Sequence, residues 1–228
     1  MPSHVNVYID ETLNTINQLA DQGIRQAAVI MRHSARYFTE DPEKEPFMVL
    51  TEQGKDFSLT LGENLPLSPY PCFFSSFFGR CIETAAIIDK GYSKKHHRFN
   101  GHHQVAEVLS PFYINDINKA VSLVQEIKAE KFIRTWFNKE ISHKIILDPE
   151  KTADRIANFL IETVDTVGEN RIALCVSHDW NIFPLKEYKL GIRHEDAGVV
   201  GFLESVVVFK KDSSYYIANH QQKPICLT

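Results

Sequence analysis

Gln26-Ala27-Ala28-Val29-Ile30-Met31-Arg32-His33-Ser34-Ala35-Arg36 is the stretch on which the fold turns. Ala27 to Met31 form a short, unbroken apolar run between two polar residues. A run of that length without polar alternation reads as a strand covered on both faces, as in the parallel sheets of α/β proteins. The charged residues follow at its carboxyl end, where open α/β sheets bind their ligands. Two further stretches repeat the arrangement. Cys72-Phe73-Phe74-Ser75-Ser76 leads through Phe77, Phe78 and Gly79 to Arg80, and Arg171 to Ser177 leads to His178 and Asp179. If the strands lie parallel in one sheet, Arg32, His33, Arg36, Arg80, His178 and Asp179 meet on a single edge.

Working outward, Val5, Leu13, Ile16 and Leu19 recur at near-helical spacing, which predicts a helix over residues 5–20 that stops at Gly23. Thr51 is an N-cap candidate for a helix that follows it, and Pro66 to Pro71 reads as a connection. Helices are predicted over 79–90 and 150–167, and residues 104–140 read as mostly helical. Residues 206–209 and 215–218 read as a closing antiparallel hairpin around Lys211-Asp212-Ser213-Ser214. This alternation predicts an α/β fold of three layers, a mostly parallel sheet with helices on both faces. The 228 residues fit a single domain, with about 91–150 as a small helical cap over the sheet.

Composition narrows the function classes. A net charge of −4 gives no overall field to draw nucleic acid, so neither nucleic acid nor a membrane surface is expected as a partner. No apolar stretch approaches the length of a membrane span, and the first residues lack the basic start and apolar centre of a secretory signal. Cys72, Cys81, Cys175 and Cys226 form no CxxC pair and read as buried free thiols, which suits a cytoplasmic location. Neither a GxGxxG nor a GxxxxGK[ST] pattern is present, so no dinucleotide or P-loop site is indicated.

The residues at the sheet edge suggest a chemistry. Arginine forks match phosphate oxygens, and few other ligands call for three of them together. A histidine among them is disfavoured as a cation and stays neutral, with one ring nitrogen available for attack. His33 is the candidate nucleophile, Arg32, Arg36, Arg80 and His178 the phosphate-binding set, and Asp179 the candidate proton donor to the leaving oxygen. Taken singly, Arg32 or Arg36 reads as a surface ion pair, His33 as a polar loop residue and His178 as a satisfied core histidine. The coincidence of all three segments argues against those readings. Ser177, His178 and Asp179 cannot form a hydrolytic triad, because neighbours on a strand point to opposite faces.

At these residues the sequence resembles the histidine phosphatase superfamily. Arg32-His33-Ser34-Ala35-Arg36 matches its Arg-His-Gly signature and following arginine, with Ser34 in place of the glycine. Ser76 to Ala85 matches a Ser-x-x-x-Arg-x-x-x-Thr-Ala segment, and Leu50 to Gly54 a Leu-Thr-x-x-Gly segment. His178-Asp179-Trp180-Asn181-Ile182, with Leu190-Gly191 beyond it, resembles the acid phosphatase and phytase branch. The resemblance implies a phosphoglycerate mutase-like fold and metal-independent hydrolysis of a phosphate monoester through phosphohistidine, without a cofactor. It also implies Asp179 as proton donor, with Glu107 as the alternative. Mutase-type phosphoryl transfer and a non-catalytic phosphate-binding module are the competing functions. Outside the matched segments, Lys94, Lys95 and Arg98 read as a solvated face or, if they reach the pocket mouth, as a contact for a second anionic group. His96, His97, His102 and His103 lack the spacing of a structural zinc site. Asp196 reads as a surface residue.

Overall fold

The computed structural model describes residues 6–41, 43–98 and 103–228. Val5 and His102 lie outside them. Among the described residues seven strands form one mixed sheet, flanked by eight helices. The chain runs α1 (Val7–Asp21), β1 (Gln26–Arg32), α2 (Glu52–Asn64), β2 (Tyr70–Ser75), α3 (Gly79–His96) and β3 (His103–Val105). It continues through α4 (Ile117–Ile127), α5 (Ala129–Phe137), α6 (Pro149–Val167), β4 (Arg171–Ser177), α7 (Asp179–Tyr188) and α8 (His194–Ala197). It closes with β5 (Ser205–Lys211), β6 (Ser214–Asn219) and β7 (Gln222–Cys226).

The strand order is β3-β2-β4-β1-β5-β6-β7. β3, β2, β4 and β1 are parallel, while β5, β6 and β7 add an antiparallel half. Arg32 pairs with Ser177 and Ser75 with Val176, so the three motif-bearing ends lie side by side. The pleat sends alternate residues of β1 to different cores. Ala28 and Ile30 join α6, α7 and the 108–146 region on one face, whereas Ala27, Val29 and Met31 join α1 and α3 on the other. Each apolar face is thus covered by helices, which is why the motif strands read as unbroken apolar runs.

Local chemistry sets several boundaries. Thr51 accepts a hydrogen bond from the Gly54 N–H at 3.0 Å and caps α2 as expected. The break between α4 and α5 falls at Lys128, which takes a positive φ of 67°. Two expectations are corrected. Helix α3 runs on to His96, so residues 91–96 belong to it and not to an inserted cap. The stretch after residue 102 opens with a three-residue strand and a 3-10 turn (Glu107–Leu109), and helix begins only at Ile117. The backbone of β3 pairs with Phe73 to Ser75, and an exposed edge strand that short has no apolar period to read. The rest of the insertion packs beside α6 and α7, with Phe132 against Trp180 at 5.4 Å and Tyr113 stacked on Trp136 at 5.1 Å.

The basic segment at the end of α3 lies far from the motif edge. Lys94 pairs with Glu63 at 2.7 Å, and the Arg98 guanidinium sits 4.6 Å over Tyr70, at the opposite end of β2. The second-anion role considered for Lys94, Lys95 and Arg98 is therefore ruled out by geometry, since a helix of 18 residues spans about 27 Å.

Candidate active site

His33 follows β1 and is 3% exposed, with its N–H bonded to the Ser177 carbonyl at 2.9 Å. Its Nδ1 lies 2.8 Å from the Ser34 carbonyl oxygen. A carbonyl can only accept, so Nδ1 carries the proton and Nε2 keeps its lone pair. Burial holds the His33 imidazole well below the ordinary histidine range, with Arg80, Arg32 and Arg36 adding to it against the opposing Ser34 bond. Like charge contributes as the sequence suggested, but desolvation is the larger cause.

The turn after His33 is locked from both sides. The Ser34 N–H donates to Thr84 Oγ1 at 3.1 Å, and Thr84 Oγ1 donates to the Arg80 carbonyl at 2.7 Å. One hydroxyl thereby ties the first motif to the second. Ser34 Oγ donates to the Gly54 carbonyl at 2.7 Å, which gives the serine in the glycine position a partner. Gly54 itself is needed because a Cβ there would stand 1.9 Å from the Ala35 carbonyl oxygen.

The three arginines are each anchored to a main-chain carbonyl. Arg32 donates to Val200 at 2.6 Å, Arg36 to Tyr37 at 2.9 Å and Arg80 to Glu45 at 2.9 Å. Carboxylates occupy the remaining faces. Asp179 pairs with Arg32 at 3.1 Å, and one Glu45 oxygen sits between Arg36 at 3.0 Å and Arg80 at 3.2 Å. The Nε atoms of Arg32 and Arg80 are buried without a partner, two idle donors at the centre of the cluster.

His178 stands with its ring 5.6 Å from that of His33 in an edge-on arrangement. Arg80 approaches its Nδ1 at 3.3 Å, and a guanidinium only donates. Nε2 therefore holds the proton and donates to Ser76 Oγ at 3.0 Å. Burial, then His33 and the arginines, hold His178 well below the ordinary histidine range. Asn181 explains the rest of the His-Asp motif: its amide donates to the Val108 and Ser110 carbonyls and its oxygen accepts from the Tyr113 hydroxyl. These bonds fix the start of α7, and with it Asp179, against the 108–113 region.

Five sequence-predicted residues, His33, Arg32, Arg36, Arg80 and His178, come together with Asp179 as the parallel sheet requires. Both Asp179 oxygens are engaged as acceptors, from Arg32 and from the Trp180 N–H. Glu107 is exposed at the start of its 3-10 turn, two residues beyond β3. Ser177 Oγ donates to the Leu109 carbonyl at 2.7 Å, away from any triad. Cys81 lies 3.6 Å from His178 Nε2 and burial pushes its thiol up to about 12, so it stays protonated. Cys226 is exposed, unlike the other cysteines, which corrects the expectation that all are buried. His97, His103 and the neighbouring His96 form no metal cluster, and none is found among the described residues.

Sequence reasoning missed two groups. Glu45 lies in an acid-rich loop with no motif to mark it. Lys186 and Glu204 form a buried ion pair at 2.6 Å behind the site. Glu204 also accepts from the Gly201 N–H at 2.7 Å, and its carbonyl accepts from the Arg32 N–H at 3.0 Å. The pair thus holds the 200–204 segment that supports Arg32. A lysine amid Ile182, Phe183, Pro184 and Leu185 was the available signal. At Gly201 a Cβ would stand 1.9 Å from the Tyr8 ring, so α1 closes this segment from outside.

This sheet order, with helices on both faces, is that of the phosphoglycerate mutase-like α/β fold. The chain is similar to phosphoglycerate mutase from Bacillus anthracis at 19% identity, covering 85% of this chain and 92% of that one with a TM-score of 0.59. A mycobacterial glucosyl-3-phosphoglycerate phosphatase matches at 14% identity, over 88% of this chain and 96% of that one, with a TM-score of 0.54. Phosphoserine phosphatase from Entamoeba histolytica, in complex with 3-phosphoglyceric acid, matches at 12% identity over 89% and 95% with a TM-score of 0.54. No protein-family model and no curated protein matches the chain. The likeness to solved structures is one of fold.

Proposed function

We propose that this chain is a phosphatase that hydrolyses a phosphate monoester through a phosphohistidine at His33. The observation that carries the reading is the bond from His33 Nδ1 to the Ser34 carbonyl, within a buried cluster of arginines. It fixes a neutral tautomer with Nε2 as nucleophile. Arg32, Arg36 and Arg80 hold the phosphoryl oxygens and supply the positive charge that phosphoryl transfer needs, while neutral His178 accepts from Arg80 and keeps it in place, so no metal enters the scheme.

In the first step the Nε2 lone pair forms a bond to phosphorus and the ester P–O bond breaks. The departing oxygen takes a proton from Asp179. Asp179 is paired with Arg32 and must first receive that proton. A substrate arriving as its monoanion can supply it. In the second step water attacks phosphorus, returns a proton to Asp179 and frees His33 Nε2 and inorganic phosphate. The free thiols Cys72, Cys81 and Cys175 suit a reducing compartment, which supports a cytoplasmic location. No helix among the described residues is long and apolar enough to cross a membrane.

The test is hydrolysis of a generic aryl phosphate in excess chelator by wild type and His33→Ala. The expected result is turnover that survives chelation and is lost in the variant, with acid-labile phosphate trapped on wild type alone. Turnover that persists in His33→Ala overturns the scheme. Phosphate-ester binding without turnover in wild type favours the binding-module reading.

A further inference from the structure

The walls of the pocket differ in chemistry from its floor. Phe202 lies 4.3 Å from the Arg32 guanidinium and 6.1 Å from the His33 ring. Phe78 stands edge-on to His178 at 4.9 Å and 4.8 Å from Arg80, and Phe77 stacks on Phe78 at 4.9 Å. Phe38 lies 5.9 Å from Arg36. Phe47 ends the 3-10 turn begun by Glu45, the residue that holds both Arg36 and Arg80. Four of the chain's fifteen phenylalanines therefore lie at or beside the arginine cluster, and Phe47 belongs to the turn that brings Glu45 to it. Three of them, Phe38, Phe47 and Phe77, are 77%, 76% and 56% exposed. Single exposed apolar residues are ordinary, but several beside a buried cationic cluster mark a surface that binds.

The charge around that rim points the same way. Residues 37–49 carry Glu40, Asp41, Glu43 and Glu45 against Lys44 alone, and Lys44 is tied to Asp41 at 3.0 Å. The basic residues at the end of α3 are on the opposite edge of the sheet. An alcohol bearing its own carboxylate or second phosphate would meet acids at the rim and a shortage of cations.

We propose that the substrate is a phosphate monoester of an apolar, uncharged alcohol, best an aromatic one, whose leaving group packs against Phe38, Phe47 and Phe77. This rests on the reading that phosphate occupies the arginine cluster. Apolar contact supplies the affinity, while the acidic loop rejects anionic competitors by repulsion.

Binding of non-hydrolysable phosphonates to the full chain tests it separately from turnover. Benzylphosphonate, methylphosphonate and 3-phosphonopropionate share the anchoring group and differ in what reaches the rim. Benzylphosphonate is expected to bind roughly tenfold tighter than methylphosphonate, the order set by burying a ring's apolar area. 3-Phosphonopropionate is expected to bind more weakly than methylphosphonate. Phe47→Ala and Phe77→Ala should each reduce the benzyl-to-methyl ratio about threefold. That ratio cancels any inactive fraction. A ratio near unity in wild type, an unchanged ratio in both variants, or tighter binding of the carboxylated ligand overturns the proposal. If benzylphosphonate is preferred but His33→Ala still turns over aryl phosphate, the histidine scheme fails and the subsite stands. If His33 is required but 3-phosphonopropionate binds best, the reverse holds.

Discussion

Replacing Glu45 by glutamine removes an anion from the seat between Arg36 and Arg80 while keeping its shape. The main-chain bond from Arg80 to the Glu45 carbonyl is retained. Each guanidinium lies within 3.2 Å of the carboxylate. At an effective dielectric of about 20, a charge pair at about 4 Å is worth roughly 4 kcal/mol. The Glu45 side chain is one-third exposed, so screening brings each pair down towards the surface range of about 0.2–1 kcal/mol. Two such pairs place the cost of displacing the carboxylate at about 0.4–2 kcal/mol, with roughly tenfold in affinity in the upper half of that range. Glu45→Gln is therefore expected to bind inorganic phosphate about tenfold tighter, with the gap narrowing as salt rises. Calorimetric titration of phosphate into both proteins at low and high salt measures this. Equal or weaker binding by the variant would refute the reasoning, and would make Glu45 an aligner of the arginines rather than a rival for them.

Acid stability offers a second check. His33 and His178 are held below the histidine value of 6.5, so below that pH the unfolded chain binds more protons than the folded one and stability falls. The loss begins as pH drops through about 6.5, continues towards the folded-state values and approaches 1.4 kcal/mol per pH unit per histidine. The urea midpoint should fall less between pH 7 and pH 5 for His178→Gln than for wild type, and an equal fall would contradict the assignment. The buried Lys186–Glu204 pair gives a third. Lys186→Met leaves Glu204 buried without its cation and should cost about 3–5 kcal/mol. The double variant Lys186→Met, Glu204→Leu should recover part of that loss, and full stability in the single variant would show the pair to be dispensable.

The three motif strands were legible because burial on both faces leaves an unbroken apolar run, and because charge placed at a strand end is visible in one dimension. β1 and β4 fall where the sequence put them, at Gln26–Arg32 and Arg171–Ser177. Glu45 was not legible, since its role depends on a loop folding back over two arginines 9 and 35 residues away. β3 and β7 were missed for a related reason. Both are short, exposed edge strands whose hydrogen bonds come from a partner, so their side chains carry no pattern. The end of α3 was placed too early because charged residues in its last turn resemble a loop, although cations there complement the helix dipole.

The anchoring of all three arginines on main-chain carbonyls has an evolutionary consequence. Val200, Tyr37 and Glu45 hold the guanidiniums through an atom that every amino acid possesses. A change of side chain at these three positions therefore leaves the main-chain bond in place so long as the loop paths persist. A cluster braced in this manner keeps its shape while the side chains around it drift. Recognition by sequence fades first at such braces and last at the braced residues themselves.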